Sequence, residues 1–184
     1  MITIYFSDIE SAFNTIPYSY CLKQLPLAMR ARIERYHQES DQKLGVLGKM
    51  LLFSQLEHYK LSEILSLSNI RFNEFGRPSF DHPFDFNISH SGKMVVCAAG
   101  TEGRIGTDLE EVKDINFDDF YQQFSSSEWT AIKQDKNPTS RFFEFWTRKE
   151  AFVKAIGTGI SILNKLIVLV CCNSRSIKSF TIRS

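Results

Sequence analysis

The order strand, helix, strand occurs twice along this chain, once on each side of a turn-rich connection at residues 100–104. Apolar residues at helical spacing predict a helix that faces a core, and short runs bounded by turn residues predict strands. The order therefore predicts an α+β fold of two similar α/β halves, residues 1–101 and 102–184, related by a pseudo-two-fold axis. We expect a small, mostly antiparallel sheet packed on a long helix in each half.

The first half contains one long predicted helix and several short strands. Apolar side chains recur at helical spacing over residues 42–65, which predicts a core-facing helix. The start of the chain predicts a strand at residues 2–6 rather than a signal peptide, because no basic region precedes its short apolar run. The other predicted elements are a basic helical turn at 28–36, strands at 70–75, 85–88 and 94–99, and a turn at Gly76-Arg77-Pro78 between the first two strands.

The second half begins with a predicted strand at residues 105–110, and strands at 165–172 and 178–183 complete its sheet. Ser125 and Glu128 predict a capping box that begins a helix at Trp129, and this local role accounts for Glu128 without any chemical one. An aromatic-rich helix follows, for which the predicted boundary residues are Asn137 and Pro138 at the start and Gly157 and Gly159 at the end.

Composition limits the possible functions. With 184 residues, 43% of them hydrophobic, the chain can bury a substantial core. A net charge of +1 provides no overall field that would hold nucleic acid. The longest late apolar run, residues 166–172, is too short to cross a bilayer. The four cysteines show no metal or redox spacing, so we expect buried free thiols in a cytoplasmic protein with neither nucleic acid nor membrane as a partner.

Two acidic segments are the first candidates for a site. Asp108 and Glu110 lie two positions apart in a predicted strand, so their side chains would share a face and repel each other unless a cation neutralised them. Mg²⁺ suits such oxygen ligands and would complete its coordination with water and phosphate. The alternative is a solvated strand end, which Glu111 would simply continue.

In the second acidic segment, Glu150 and Lys154 lie one helical turn apart. The alternative here is an ordinary exposed ion pair. The neighbouring aromatic residues Phe145, Trp146 and Phe152 predict a mostly buried helix, which favours a functional cleft over bulk water.

Upstream, Ser89 and His90 lie where a predicted strand runs into a polar turn. Hydroxyl, amide and imidazole groups can bind phosphate, although a hairpin turn with a surface histidine explains the same residues. A basic cluster near the first helix has the same two interpretations, phosphate binding or a solvated face; it comprises Arg30, Arg32, Arg35 and Lys43.

Taken together and in this order, these segments resemble one family. The motifs are Asn-Ile-Ser-His-Ser at 87–91, Gly-Thr-Asp-Leu-Glu at 106–110, Phe-Ser-x-x-Glu at 124–128, and Trp-Thr-Arg-Lys-Glu-Ala-Phe-Val-Lys at 146–154 followed by Gly-x-Gly at 157–159. This combination is similar to the 4′-phosphopantetheinyl transferase superfamily over residues 30–162. The two-halved length resembles its surfactin-synthetase-activating branch rather than the small trimeric holo-acyl-carrier-protein synthases.

The resemblance implies an enzyme that moves the phosphopantetheine arm of coenzyme A onto a carrier-protein serine and releases adenosine 3′,5′-bisphosphate. Asp108, Glu110 and Glu150 would hold Mg²⁺, or Mn²⁺ in its place, against the pyrophosphate. Glu150 would also be the general base, directly or through a water, and Lys154 would neutralise phosphate charge as the bond to the leaving group breaks.

The resemblance also assigns residues to coenzyme A binding. Ser89 and His90 would bind its phosphates, and Arg77 and Pro78 would lie against the nucleotide, with arginine where the family turn has lysine. Lys43 corresponds to a basic position near the 3′-phosphate. We expect a monomer, because two fused halves can build one complete site, and we expect an acyl or peptidyl carrier protein to dock near residues 117–129.

One departure from the family concerns the end of the chain. Few residues follow Gly159, so the family's last strand is expected to be missing and the remaining hairpin would end in an unpaired edge. A shorter second half predicts lower stability than in longer relatives. Two other functions stay open: a coenzyme A or carrier-binding protein without turnover, and a Mg²⁺-dependent phosphohydrolase.

Overall fold

Three antiparallel strands form the main sheet of the computed structural model, which describes residues 1–158 and the backbone of Phe180–Thr181. They are β1 (Ile2–Asp8), β4 (Asp85–Ser91) and β5 (Met94–Gly100), in the order β1-β5-β4. In register, Ile2 and Asp85 both lie opposite Gly100. The strands predicted at 2–6, 85–88 and 94–99 are confirmed, and each extends by one to three residues.

Helix α4 (Glu39–His58) packs on one face of this sheet. Its buried Gln55 satisfies backbone carbonyls of two strands, donating to Cys97 at 3.2 Å and to Thr3 at 3.3 Å. The prediction that the helix extends to residue 65 is wrong. Lys60 has a left-handed φ of 57°, and the Leu61 N–H returns to the Leu56 carbonyl at 2.8 Å, which ends the helix in a Schellman motif.

Three short helices connect β1 to α4, and two of them were not predicted. They are α1 (Ile9–Thr15), α2 (Tyr18–Gln24) and α3 (Leu27–Ile33), of which only α3 coincides with the basic turn predicted at 28–36. Asp8 caps α1 by accepting the Ser11 N–H at 2.8 Å. Pro17 and Pro26 are the N-cap residues of α2 and α3.

A short hairpin lies between α4 and β4. Its two strands, β2 (Arg71–Phe72) and β3 (Pro78–Ser79), have two residues each. The predicted strand at 70–75 is therefore too long, and it pairs with β3 rather than with β4. The Asn73 side chain turns the loop, because its oxygen accepts the N–H groups of Phe75 at 3.0 Å and Arg77 at 2.8 Å.

The second half is built on helix α6 (Pro138–Ile156), preceded by a 3₁₀ helix (Phe117–Gln123) and α5 (Ser126–Lys133). The predicted Ser125–Glu128 capping box, the Asn137 cap with Pro138, and the end at Gly157, which has a φ of 75°, are confirmed. Helix α5 begins at Ser126 rather than at the predicted Trp129. Gly159 and the strand predicted at 165–172 lie outside the described residues.

Strand β6 (Ile105–Gly106) packs on α6 and pairs with β7 (Phe180–Thr181), within the region where a terminal strand was predicted. Gly106 permits this packing, because a Cβ there would overlap the Ala151 carbonyl oxygen. The prediction of a strand through residue 110 is wrong, since regular structure ends at Gly106. The reason is that, among the described residues, the backbone N–H groups of residues 107, 109 and 111 donate to side chains of β4 rather than to a neighbouring backbone.

The two halves have different cores. Between the main sheet and α4 the core is mostly aliphatic, whereas around α5 and α6 it is aromatic, with Phe124, Phe142 and Phe145 buried. The predicted α+β class, with antiparallel strands packed on a long helix in each half, is confirmed, while the boundary at residue 101 stays a prediction. Within the described part of the chain, no helix combines the length and apolar character needed to cross a membrane.

Candidate active site

The segment that follows β6 is held by a ladder of side chains from β4. Alternate residues of β4 each accept a backbone N–H from the residue twenty positions later in the chain. The four pairs are Asp85 with Ile105 at 2.6 Å, Asn87 with Thr107 at 3.0 Å, Ser89 with Leu109 at 3.3 Å, and Ser91 with Glu111 at 3.0 Å. This ladder places Asp108 and Glu110 beside β4 without any strand.

Asp108, Ser89 and Lys154 meet at the centre of the candidate site. The Asp108 side chain is only 3% exposed; its Oδ1 accepts from the Ser89 hydroxyl at 2.9 Å and from the Lys154 ammonium. Lys154 also donates to Ser89 at 2.9 Å. Asp108 Oδ2 is buried and has no hydrogen-bond partner among the described residues. The site therefore contains one buried carboxylate oxygen that is open to a further ligand.

Glu110 and Glu150 complete an acidic cluster around this contact. Partial burial raises the pKa of both carboxyls, and the Asp108 charge raises each pKa further. The Ser91 hydroxyl, which donates to Glu110 at 3.2 Å, and the Lys154 ammonium oppose the rise in the Glu110 pKa. Mutual repulsion of this kind is relieved by a cation placed among the carboxylates.

Arg77 lies at the junction of the two halves, and its guanidinium is 8% exposed. It bonds to Asp85 at 2.5 Å and donates to the carbonyls of Lys154 at 2.9 Å and Ile105 at 3.2 Å. These bonds tie β4, β6 and the end of α6 together. Arg77 and Pro78 line a cleft of about 280 Å³ with Glu150 and Lys154, so they reach the site, but the Arg77 charge is directed into the protein.

Two further side chains hold the C-terminal end of α6. Asn73 donates to the Gly157 carbonyl at 2.9 Å, and Arg104 donates to the Ile156 carbonyl at 2.6 Å. Carbonyls at the end of a helix have no partner within the helix, so these donors satisfy groups that would otherwise need water. Together with Arg77 they fix the last turn of α6, which includes Lys154.

His90 projects from β4 toward the α4 side and is exposed. Surrounding protein atoms lower its imidazole pKa, and the Lys154 and Lys49 charges lower it further while Asp41 opposes the change. Lys49 lines a mostly apolar cavity of about 500 Å³ next to α4, together with Arg32. Burial lowers the Lys49 pKa. His90 is therefore influenced by lysines on two elements, Lys49 of α4 and Lys154 of α6.

Of the predicted basic residues near the first helix, two are engaged elsewhere. Lys43 pairs with Glu39 on the same helix at 2.7 Å, and Arg30 donates to the carbonyls of Leu25 and Lys23. Lys49 was missed by the sequence reasoning. Its signal was a single cation in an apolar stretch of the helix, between Gly48 and Met50.

The donor set agrees with a hard divalent cation, although the side chains do not form a closed metal cage. Within residues 1–158, no three His, Cys, Asp or Glu side chains are close enough together to hold a metal ion. Mg²⁺ needs only one or two carboxylates, because water and substrate phosphate complete its coordination. The open Asp108 Oδ2 and the raised pKa values of Glu110 and Glu150 fit that requirement.

Glu128 has the local role that the sequence predicted. Its Oε2 accepts the Ser125 N–H at 2.8 Å, which closes the capping box. It also pairs with the fully buried Lys149 at 2.9 Å, a contact that no sequence pattern predicted. This ion pair lies in the aromatic core, away from the acidic cluster.

Two family models cover nearly the whole chain. The model described as 4′-phosphopantetheinyl transferase, N-terminal, matches residues 14–102. The model of the 4′-phosphopantetheinyl transferase superfamily matches residues 104–182. The candidate site takes Ser89 and Arg77 from the first match and its acidic residues and Lys154 from the second.

Curated proteins give the same family. The chain is 30% identical over 168 residues to the 4′-phosphopantetheinyl transferase gsp of Aneurinibacillus migulanus, covering 88% of this chain and 68% of that protein. It is 34% identical over 140 residues to the 4′-phosphopantetheinyl transferase Sfp of Bacillus subtilis, covering 72% and 60%. It is 33% identical over 159 residues to the L-aminoadipate-semialdehyde dehydrogenase-phosphopantetheinyl transferase of Schizosaccharomyces pombe, covering 76% and 61%.

The chain thus spans 60–68% of the length of these relatives. The two family-model matches together extend through both halves, and they include the β4 ladder, the acidic segment and the end of α6 that form the candidate site. The chain belongs to the 4′-phosphopantetheinyl transferase superfamily, in its surfactin-synthetase-activating branch.

Proposed function

We propose that this chain transfers the 4′-phosphopantetheine arm of coenzyme A to a serine hydroxyl of an acyl or peptidyl carrier protein. The observation that carries the proposal is the contact of Lys154 with Asp108 and Ser89, beside Glu110 and Glu150. An ammonium and a buried carboxylate are in contact there, and two further carboxylates lie near enough for these charges to shift their pKa values. Phosphoryl transfer needs such groups for positioning and charge neutralisation.

In the proposed reaction, one bond to phosphorus forms, another breaks, and one proton is transferred. The carrier serine oxygen attacks the phosphorus that bears the pantetheine arm, and the bond from that phosphorus to the adenosine 3′,5′-bisphosphate leaving group breaks. Glu150 accepts the serine proton, directly or through a water. Lys154 neutralises charge on the phosphates.

Asp108 and Glu110, with Glu150, would hold Mg²⁺ or Mn²⁺. Bound there, the ion would supply Lewis-acid charge neutralisation at the pyrophosphate. The open Asp108 Oδ2 supports this assignment, because a buried unpaired carboxylate oxygen is costly without a ligand. The coenzyme A nucleotide would lie toward the cavity lined by Lys49 and Arg32, with His90 between that cavity and the acidic cluster.

The carrier protein would dock near the 3₁₀ helix Phe117–Gln123, as the family resemblance implies. Tyr121 and Val112 are at least half exposed there, at 50% and 57%, and Phe120 is 36% exposed. Exposed aromatic side chains are common at the centres of protein interfaces. We further propose that the chain works as a monomer in the cytoplasm.

The test is incubation of the chain with coenzyme A, Mg²⁺ and an apo carrier protein, followed by intact-mass measurement of the carrier. Addition of one phosphopantetheine arm supports the proposal. Binding without addition indicates a non-catalytic coenzyme A or carrier-binding protein, and phosphate release without a carrier indicates a phosphohydrolase.

Glu150→Ala tests the assignment of residues in the same assay, because it should abolish transfer. Glu111→Ala is the control, since Glu111 is exposed, lies in the same acidic segment and pairs only with the exposed Lys113 in the described structure. An unchanged rate for Glu150→Ala would show that the base is another group.

A further inference from the structure

The side-chain ladder on β4 has a second layer of bonds to the acidic cluster. The Ser89 hydroxyl accepts the Leu109 N–H and donates to Asp108, the residue just before it. Ser91 repeats the arrangement, accepting the Glu111 N–H at 3.0 Å and donating to Glu110 at 3.2 Å. Each serine therefore fixes a peptide group and the carboxylate next to it at the same time.

Asn87 supports the same segment from a deeper position. It is 5% exposed and accepts the N–H of Thr107, which is 3% exposed. A buried N–H without an acceptor costs free energy, so this bond fixes the Gly106–Thr107 peptide, one residue ahead of Asp108. Neither Asn87 nor Ser91 is among the residues proposed above to contact coenzyme A or the metal ion.

The ladder lies on the face of β4 opposite α4. Ile88 contacts α4, since its Cγ2 would be 3.0 Å from a Cβ at Gly48. Side chains alternate along a strand, so residues 85, 87, 89 and 91 share the other face. Within the described residues, three polar side chains of β4 at a spacing of two, Asn87, Ser89 and Ser91, hold the backbone of residues 107–111.

We propose that Asn87 and Ser91 are positioning residues, which hold the backbone of residues 107–111 so that Asp108 and Glu110 present their carboxylates together to a divalent cation. The inference rests on the metal site of the proposed function. Hydrogen-bond partners of metal ligands commonly affect metal affinity by about 10–100-fold. Removal of the Asn87 or the Ser91 side chain should therefore weaken metal binding, although Asp108 and Glu110 themselves are unchanged.

The experiment measures Mn²⁺ binding to the full chain by electron paramagnetic resonance of the free ion. Asn87→Ala should raise the dissociation constant by about tenfold or more, and Ser91→Ala should raise it by a smaller factor. Ser91→Thr keeps the hydroxyl and should restore the affinity. Asn137→Ala is the matched control, because Asn137 also accepts a backbone N–H, that of Ser140 at 3.1 Å, but at the far end of α6.

A readout without metal tests the ladder itself. Amide hydrogen exchange by nuclear magnetic resonance should show protection at residues 105, 107, 109 and 111. That protection should fall at Thr107 in Asn87→Ala and at Glu111 in Ser91→Ala, but at neither in Asn137→Ala. The Ser91 variants provide both readouts if Asn87→Ala fails to fold, because Ser91 is less buried than Asn87.

The outcomes separate this inference from the proposed function. Wild-type binding of Mn²⁺ with equal affinity in Asn87→Ala and Ser91→Ala overturns the positioning role and leaves the metal site intact. Equal loss in Asn137→Ala also overturns it, because the effect would then come from general destabilisation. A wild-type chain that binds no Mn²⁺ overturns the proposed metal site and this inference with it.

Discussion

Helix α6 carries two lysine–carboxylate pairs that have different surroundings. Lys149 pairs with Glu128 at 2.9 Å, and both side chains are closed off from solvent, at 0% and 3% exposed. Lys154 pairs with Asp108, which is equally buried, but the lysine itself is 31% exposed. The comparison shows that pairing and burial alone do not distinguish a structural ion pair from a functional one.

The other bonds of each pair distinguish them. Glu128 Oε2 also accepts the Ser125 N–H and hydroxyl, and Lys149 donates to the Gln123 carbonyl at 2.9 Å and lies 5.2 Å from the centre of the Phe124 ring. These partners are all protein groups of the second half. The Lys149 pair therefore fastens α5 and the preceding 3₁₀ helix to α6.

The Lys154 pair lies instead in a cleft between the two halves and has like charges beside it. Glu110 and Glu150 both have a raised pKa there, and one buried oxygen of Asp108 has no hydrogen-bond partner in the described part of the chain. A structure built only for stability would gain from removing such repulsion. Strained electrostatics of this kind are typical of sites that bind a charged ligand.

The largest expected effect on stability comes from breaking the buried pair of Lys149 and Glu128. Lys149→Met should lower the free energy of unfolding by about 3–5 kcal/mol, because Glu128 is left buried without its cation. Urea denaturation followed by circular dichroism measures the change. Adding Glu128→Gln to this variant should restore part of the stability, and a loss below about 1 kcal/mol in the single variant would contradict the structural role.

Breaking the partly exposed pair of Lys154 and Asp108 should slow the reaction more than it destabilises the fold. Lys154→Met should slow transfer to a carrier protein by about 10²–10³-fold, the usual effect of removing one preorganised group that stabilises developing charge. Its free energy of unfolding should fall by less than that of Lys149→Met, because Lys154 is partly exposed and Ser89 still donates to Asp108. Equal loss of stability in both variants would remove the distinction between the pairs.

The raised pKa of Glu150 should also make the free energy of unfolding depend on pH in the absence of metal. A carboxyl with a raised folded pKa holds its proton more tightly in the folded chain, so its stabilising contribution is present in acid and is lost as the pH rises through the raised pKa. In EDTA, Glu150→Gln should therefore gain stability relative to wild type between about pH 5 and about pH 8. Urea midpoints across that range give the difference, and a difference independent of pH would exclude the effect.

The smallest expected effect on stability concerns the capping box at the start of α5, which includes Glu128. Ser125→Ala removes the hydroxyl that accepts the Glu128 N–H at 3.3 Å and should cost about 1 kcal/mol of stability. Ser125→Thr should keep most of it. Transfer activity should be unchanged in both variants when it is measured well below the unfolding temperature. That result would indicate that the Lys149–Glu128 pair takes no part in the reaction. A slowed reaction in the folded Ser125→Ala protein would connect α5 to the site.

The elements that could be predicted from the sequence are those with local signals. The start and end of α6 follow from Asn137, Pro138 and Gly157, which act within one helical turn. Helices α1 and α2 were missed because they are only seven residues long and their buried residues Ile9 and Cys21 show no clear helical period.

The site was predictable in its residues more than in its geometry. Ser89, Asp108 and Lys154 contact one another, and Glu150 lies near enough for the charges of Asp108 and Lys154 to shift its pKa, while the chemical roles of these residues stay predictions. The spacing of Asp108 and Glu110 suggested a strand, but the structure replaces it with bonds to side chains about twenty residues earlier, which no local pattern reveals. The roles of Arg77 and Ser89 in coenzyme A binding stay predictions, although both side chains bond to protein groups in this structure.

The most direct test of the account is the intact mass of an apo carrier protein after incubation with coenzyme A and the wild-type chain, with Mg²⁺ and separately with EDTA. We predict the gain of one phosphopantetheine arm with Mg²⁺, matched by release of an equal amount of adenosine 3′,5′-bisphosphate, and no gain in EDTA. A folded chain that leaves the carrier mass unchanged in Mg²⁺, or that modifies the carrier equally in EDTA, would contradict it.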